Sequence, residues 1–196
     1  MTPYAGGVRK PATPGRPRSE TARLAVLHAV DDLLVEIGYS AMTMKGIAEH
    51  AGVGRQTVYR WWPTKAHILI ESCADDARGE LTVPVHTDPV RMITDFLVAL
   101  TQFLTTSAAG AAYRALLGEA QHDTEVSKLV AEADLLAEPA RTVLDHIRPH
   151  FPGLPDDQLA VAELCGPVVL IVITGNAPPP LRALRGHAQR LAAAWA

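Results

Sequence analysis

TMKGIAEHAGVGRQTVYRWWPTKAHIL, residues 43–69, reads as two short helices and the start of a longer one. Thr43 is a residue type that caps a helix, Met44, Ile47 and Ala48 follow at helical spacing, and Gly52 ends the run. Val53-Gly54 turns the chain into a second helix from Arg55 to Trp62. Pro63 stops it, because proline lacks a backbone N–H and clashes with the preceding turn. Thr64 then caps a longer helix carrying His67, Ile68, Leu69, Ile70, Cys73 and Ala74, which weakens near Gly79. Two short helices joined by a tight glycine turn form a helix-turn-helix, whose second helix enters the major groove of DNA.

The side chains suit that role. Arg55, Gln56, Thr57 and Tyr59 occupy the first turn and a half of the second helix, where base edges lie. Arg55 can bond guanine O6 and N7 in bidentate fashion, Gln56 can pair with adenine N6 and N7, and Thr57 offers a methyl to thymine or a hydroxyl to phosphate. Tyr59, Trp61 and Lys65 suit the backbone, as does Thr43 beside Lys45. Their side chains carry donors, and Lys65 falls in the first turn of the next helix, whose free amides can hold the same phosphate. Trp61 has an alternative place, packed on that next helix. Val58 and Trp62 read as core, and Arg60 as a solvated side chain or a distant phosphate contact.

Ile47-Ala48, Gly52-Val53, Thr57-Val58-Tyr59, Trp61-Trp62 and Lys65 stand in an order and spacing that resembles the tetracycline-repressor (TetR) family, over about residues 20–70. One position departs from it: Gly54 stands where a Ser or Thr cap is common. The resemblance implies an all-α fold of about nine helices, with an N-terminal three-helix DNA-binding domain and a C-terminal helical domain for ligand binding and dimerisation. It implies a two-fold dimer on a palindromic double-stranded operator, released by a small-molecule effector. Repression is the expected sign, with activation and an architectural DNA-binding role as alternatives. By the same resemblance residues 89–175 enclose the effector, and Met92, Phe96, Leu100, Phe103, Tyr113, Leu117, His122 and His146 are the large or titratable candidates to line its pocket, although each also suits plain core. ITGNAPPPLRALRGHAQRL, residues 173–191, resembles the C-terminal pattern of one TetR subgroup.

Upstream of the motif, Ala22, Val26, Ala29, Val30, Leu33, Leu34 and Ile37 recur at helical spacing from a Ser19 cap to Gly38. Residues 1–18 hold four prolines and three glycines and read as a flexible basic arm. Pro14-Gly15-Arg16-Pro17-Arg18 resembles the core of an AT-hook, so Arg16 and Arg18 either line a narrow minor groove or supply non-specific attraction. The domain division is therefore arm 1–18, DNA-binding domain 19–65 and regulatory domain 66–196.

Charge follows the same division. The net charge is −3, yet residues 1–65 carry nine Lys or Arg against five Asp or Glu, and the remainder nine against sixteen. A basic end is expected where phosphates are met, and the acidic remainder is repelled by them. Downstream, helices are expected at 89–107, 110–121, 124–148, 156–175 and 179–195, with Pro139 and Pro167 kinking or splitting theirs. The last two supply the homodimer surface, through Leu159, Val161, Leu164, Val168, Val169, Leu170, Val172, Leu181, Leu184, Leu191 and Trp195.

At 196 residues and 48% hydrophobic the chain can fill a core, and its low aromatic content of 5% favours helices. The longest uncharged apolar run, Leu164 to Ile173, is too short to span a membrane. Cys73 and Cys165 have no CxxC spacing and read as small apolar residues of a cytoplasmic protein. No nucleophile with a base, phosphate loop or metal-ligand spacing stands out, so no enzyme activity, cofactor or metal is expected. His146 and His150 flank Pro149 without an evident third ligand, and Glu119, His122 and Asp123 suit capping.

Overall fold

The computed structural model describes residues 20–196. Its helices are α1 (Glu20–Ala41), α2 (Met44–His50), α3 (Arg55–Trp61), α4 (Lys65–Glu80), α5 (Pro89–Thr106), α6 (Ala108–Glu119), α7 (Thr124–Ala133), α8 (Ala137–Ile147), α9 (Asp157–Ile173) and α10 (Leu181–Trp195). No strand occurs among the described residues. Ser19 and the basic arm with Arg16 and Arg18 lie outside them.

Local chemistry explains most of the boundaries. Thr43 caps α2 by accepting from Gly46 N at 3.0 Å, Asp88 caps α5 with Pro89 in its first turn, and Asp123 caps α7 through Glu125 N and Val126 N. Asp156 does the same for α9 through Leu159 N at 3.0 Å. Such caps each contribute about 1 kcal/mol by satisfying orphan amides. Gly38 adopts φ 75° and ψ 165°, so the chain leaves helical geometry there as its glycine suggests, although α1 resumes as far as Ala41.

Of the two helices expected to kink or split at a proline, one divides and one does not. The stretch 124–148 is two helices, parted where Asp134 adopts a left-handed φ of 51° and pairs with Arg141. Pro139 accounts for the break, because its ring would collide with the carbonyl of Leu135 in a continuous helix. By contrast α9 runs on through Pro167. The missing N–H of Pro167 strips the Glu163 carbonyl of its helical partner, and His187 of α10 donates to that carbonyl at 3.1 Å. The Glu163 carboxylate also accepts from Trp195 Nε1 at 2.7 Å, which ties α9 to α10 a second time.

One apolar core runs from Val26 of α1 to Trp195 of α10. α4 bridges its two parts, packing on α1 on one side and on α6 and α7 on the other. The expected boundary at residue 65 therefore falls within continuous packing. Cys73 and Cys165 are buried free thiols, each pushed up to about 12 by that burial, and so serve as small apolar groups. No single described helix is long and apolar enough to cross a membrane; α5 and α6 together pass by length and composition, but they are bent by 78° at the break between them.

Candidate nucleic-acid interface

α3 presents one polar face because Val58, at its middle, and Trp62, just past its end, are buried in the core. Arg55, Gln56, Tyr59 and Arg60 are exposed together on the side turned away from them. Tyr59 is 53% exposed, too much for a large aromatic side chain that serves the core. Thr57 is half-buried between the two faces.

Electrostatics hold this face ready. Glu49 of α2 lies 3.4 Å from the Arg55 guanidinium and 3.8 Å from Lys45 Nζ. All three side chains are more than half exposed, so these pairs are worth well under ~1 kcal/mol and yield readily to a base or a phosphate. Thr43 is exposed at the start of α2 beside Lys45. Gly54 caps α3 through its backbone alone, its carbonyl accepting from Thr57 N at 2.8 Å, so the side-chain contact absent from the sequence is absent here too.

Lys65 stands in the first turn of α4, as its sequence position suggests, and its ammonium also has partners on α1. Its ammonium donates to the carbonyls of Tyr39 at 2.7 Å and Met42 at 3.1 Å and sits 4.1 Å from the Tyr39 ring centroid. Two of its three donors thus hold the corner between α1 and α2, immediately before the Thr43 cap. Burial pulls its pKa below the ordinary lysine value, with Glu119 of α6 pushing the other way. Trp61 is half-buried and meets Trp62 edge-to-face, with ring centroids 5.5 Å apart.

Sequence reasoning passed over Glu71, in the middle of α4. Its carboxylate accepts from Trp62 Nε1 at 2.7 Å and from Arg23 Nε of α1 at 2.5 Å. The Arg23 pKa is raised, chiefly by this hydrogen bond. Ser72 beside it donates to Asp31 of α1 at 2.8 Å. The end of the candidate recognition helix is therefore fastened to α4, the helix that enters the regulatory part. No local pattern marks Glu71, since Arg23 lies 48 residues away.

The residues expected around an effector scatter. Met92 and His146 line one cavity of about 180 Å³ between α4, α5 and α8. Tyr113 and Leu117 line another of about 350 Å³ among α6, α7, the start of α8 and α9. Phe96, Leu100 and Phe103 are fully buried in the core and line neither, while His122 is exposed in the connection after α6. His146 and His150 are both exposed, and among the described residues no three His, Cys, Asp or Glu side chains gather as a metal site.

Comparison with known proteins agrees with this geometry. The profile of the bacterial regulatory proteins of the tetR family matches residues 26–71. The HTH-type transcriptional regulator YdeS of Bacillus subtilis (strain 168) is 38% identical over 114 residues, covering 58% of this chain and 57% of YdeS, little more than half of that relative's length. The HTH-type transcriptional repressor KstR of Rhodococcus jostii (strain RHA1) is 29% identical over 158 residues, covering 76% of this chain and 69% of KstR. Among solved structures, the TetR family transcription regulator SCO0332 superposes with a TM-score of 0.73 at 25% identity, over 88% of this chain and 97% of its own.

Proposed function

We propose that this chain is a DNA-binding transcriptional regulator of the tetR family, a cytoplasmic repressor that binds a palindromic operator as a homodimer and is released by a small molecule; the profile match over residues 26–71 and the likeness to YdeS and SCO0332 support the family. The observation that carries this reading is the polar face of α3, with Arg55, Gln56 and Tyr59 exposed while Val58 and Trp62 anchor the helix from behind. Leu159, Leu170 and Ile173 of α9 and Leu181 of α10 are all exposed, which supports a partner on that surface.

Footprinting of the protein on the DNA upstream of its own gene tests the reading. A protected palindrome with half-sites about one helical turn apart is expected. Binding to any A·T-rich duplex without a preferred site would point to an architectural protein instead. Tyr59→Ala should weaken binding to every sequence, whereas Gln56→Ala should relax preference at one base pair per half-site. Equal loss on all sequences in both variants would remove Gln56 from base readout.

Lys65 and the arm separate in their salt dependence. In this reading Lys65 acts through the corner it holds, so Lys65→Gln should lower operator affinity several-fold while the slope of log affinity against log salt stays constant. A direct phosphate contact would instead reduce that slope by about 0.9 per contact, twice over in a dimer. Deleting residues 1–18 should reduce both affinity and slope, because Arg9, Lys10, Arg16 and Arg18 leave with it.

A further inference from the structure

The cavity among α6, α7, the start of α8 and α9 lies where the break at Asp134 parts α7 from α8. Leu117 of α6, Val130 of α7, Leu135 and Leu136 of the connection, and Val161 and Val169 of α9 make its walls apolar. A Cβ at Gly166 of α9 would meet nothing within 4 Å, so on that side the space reaches the helix backbone. Its volume of about 350 Å³ falls within the usual span of ligand pockets, about 300–1,000 Å³, and equals that of roughly twelve waters at ~30 Å³ each. The cavity of about 180 Å³ beside α5 falls below that span.

One polar side chain is left open toward this space. Tyr113 of α6 is nine-tenths buried, yet its hydroxyl has no hydrogen-bond partner among the described residues and is not sealed from solvent. It lies within electrostatic reach of Cys165 and Asp134, both on the cavity wall. Burial pushes its pKa up to about 12, so the hydroxyl stays protonated and offers a donor. A buried donor without a partner is costly, and an acceptor on a ligand removes that cost. Charge finds no such reception. Asp134 is the one charged residue among those lining the cavity, and Arg141 already pairs with it. A ligand carboxylate would meet repulsion and no cation, while a ligand ammonium would lose its hydration and compete with Arg141.

We propose that this cavity is the effector site and takes an uncharged, mainly apolar molecule of about a dozen non-hydrogen atoms, whose single acceptor oxygen, in a ketone, ester or ether, receives the Tyr113 hydroxyl bond. The inference rests on the reading of the chain as a ligand-released regulator. Tyr113 and Leu117 lie on α6, which packs against α4 and ends at Glu119. Glu119 favours the charge on Lys65, whose ammonium holds the carbonyls of Tyr39 and Met42 just before the Thr43 cap. A ligand wedged behind α6 thus bears on the corner that leads into α2 and α3. The bond to Tyr113 gained in the displaced state is the differential contact that a shift in population requires.

The test uses the full chain with benzylacetone, a neutral ketone, with the hydrocarbon butylbenzene, and with hydrocinnamate and phenylbutylamine as charged compounds of similar size. Affinity is read by calorimetry and thermal shift without DNA, and operator release by fluorescence anisotropy. Benzylacetone should bind about tenfold tighter, or more, than either charged compound. Tyr113→Phe should melt as the parent, bind benzylacetone about fivefold more weakly and bind butylbenzene unchanged, since one neutral hydrogen bond is lost. Gly166→Leu, whose side chain enters open space, should melt at or above the parent and lose both ligands. Should Gly166→Leu melt early instead, the comparison of the two ligands in Tyr113→Phe decides alone. No binding of benzylacetone, a charged compound that binds as tightly, or unchanged ketone affinity in either variant overturns the proposal. Benzylacetone that binds through Tyr113 and leaves the operator occupied would uphold the site and overturn release by this ligand class. Benzylacetone that releases the operator equally well from Gly166→Leu would uphold ligand release and overturn this site.

Discussion

Gly110→Ala is expected to lower the melting temperature by roughly 6–12 °C, the largest effect of any glycine-to-alanine change among the described residues. Gly110 lies in the first turn of α6, where that helix crosses the end of α5. A Cβ there would stand 1.8 Å from the Phe103 carbonyl oxygen and 2.6 Å from its carbon. Both are backbone atoms, so no rotamer change relieves the collision, and α5 and α6 must part. Phe103 and Leu104, both fully buried, lose packing when they do. Overpacking of this kind costs about 3 kcal/mol or more, and each kcal/mol moves the melting point of a chain this size by about 2–4 °C. Gly118→Ala, on the same helix with nothing within 4 Å of its added methyl, is the control and should melt at or above the parent because alanine favours helix over glycine. Thermal unfolding followed by circular dichroism checks both. A parental melting point for Gly110→Ala would show that the two helices are not in such close contact.

Glu71→Leu is expected to weaken operator binding more than tenfold without touching a residue on the DNA face. The substitution leaves the Trp62 indole N–H and the Arg23 guanidinium without their shared carboxylate. Glu71 keeps 27% of its side-chain surface, so water screens part of the loss, and the stability cost is roughly 1–3 kcal/mol rather than that of a fully buried pair. The larger consequence is positional. Trp62 ends the recognition helix, and α4 no longer dictates where that end sits. Glu71→Gln keeps an acceptor for the indole and should recover much of the affinity while still losing the charge pair with Arg23. Anisotropy titrations below the melting transition of each variant separate this effect from unfolding. Parental affinity in Glu71→Leu would mean that α3 is held by its own core contacts alone.

How much could be read from the chain divides along a physical line. The motif at residues 43–69 was legible because its signals are local: Thr43, Gly52 and Pro63 act on the backbone within one turn of themselves, and Val58 and Trp62 follow from helical period. The cap at Asp123 was legible for the same reason. The break near Asp134 was visible only as a warning from Pro139, since the side chain that accepts a left-handed backbone and pairs with Arg141 is chosen by its surroundings. Pro167 gave the same warning and produced no break, because α10 happened to offer His187 to the stranded carbonyl. Among the effector candidates, Phe96, Leu100 and Phe103 have the same apolar character as Met92, and only the packing of α8 and α9 around α5 sorted core from cavity wall.

By itself the sequence therefore determined the helical class, the helix-turn-helix and the side chains on the outer face of its second helix, all consequences of interactions reaching no further than a turn or two. The tertiary structure alone decided that Lys65 holds the α1–α2 corner, that Glu71 fastens the recognition helix to α4, and that Arg78 faces Glu138 across a cavity. Those partners lie 9 to 60 residues apart along the chain. A hydrogen bond or ion pair over such a separation exists only because helices with no local preference for one another share a single core, and nothing in the period or capping of either helix records the meeting.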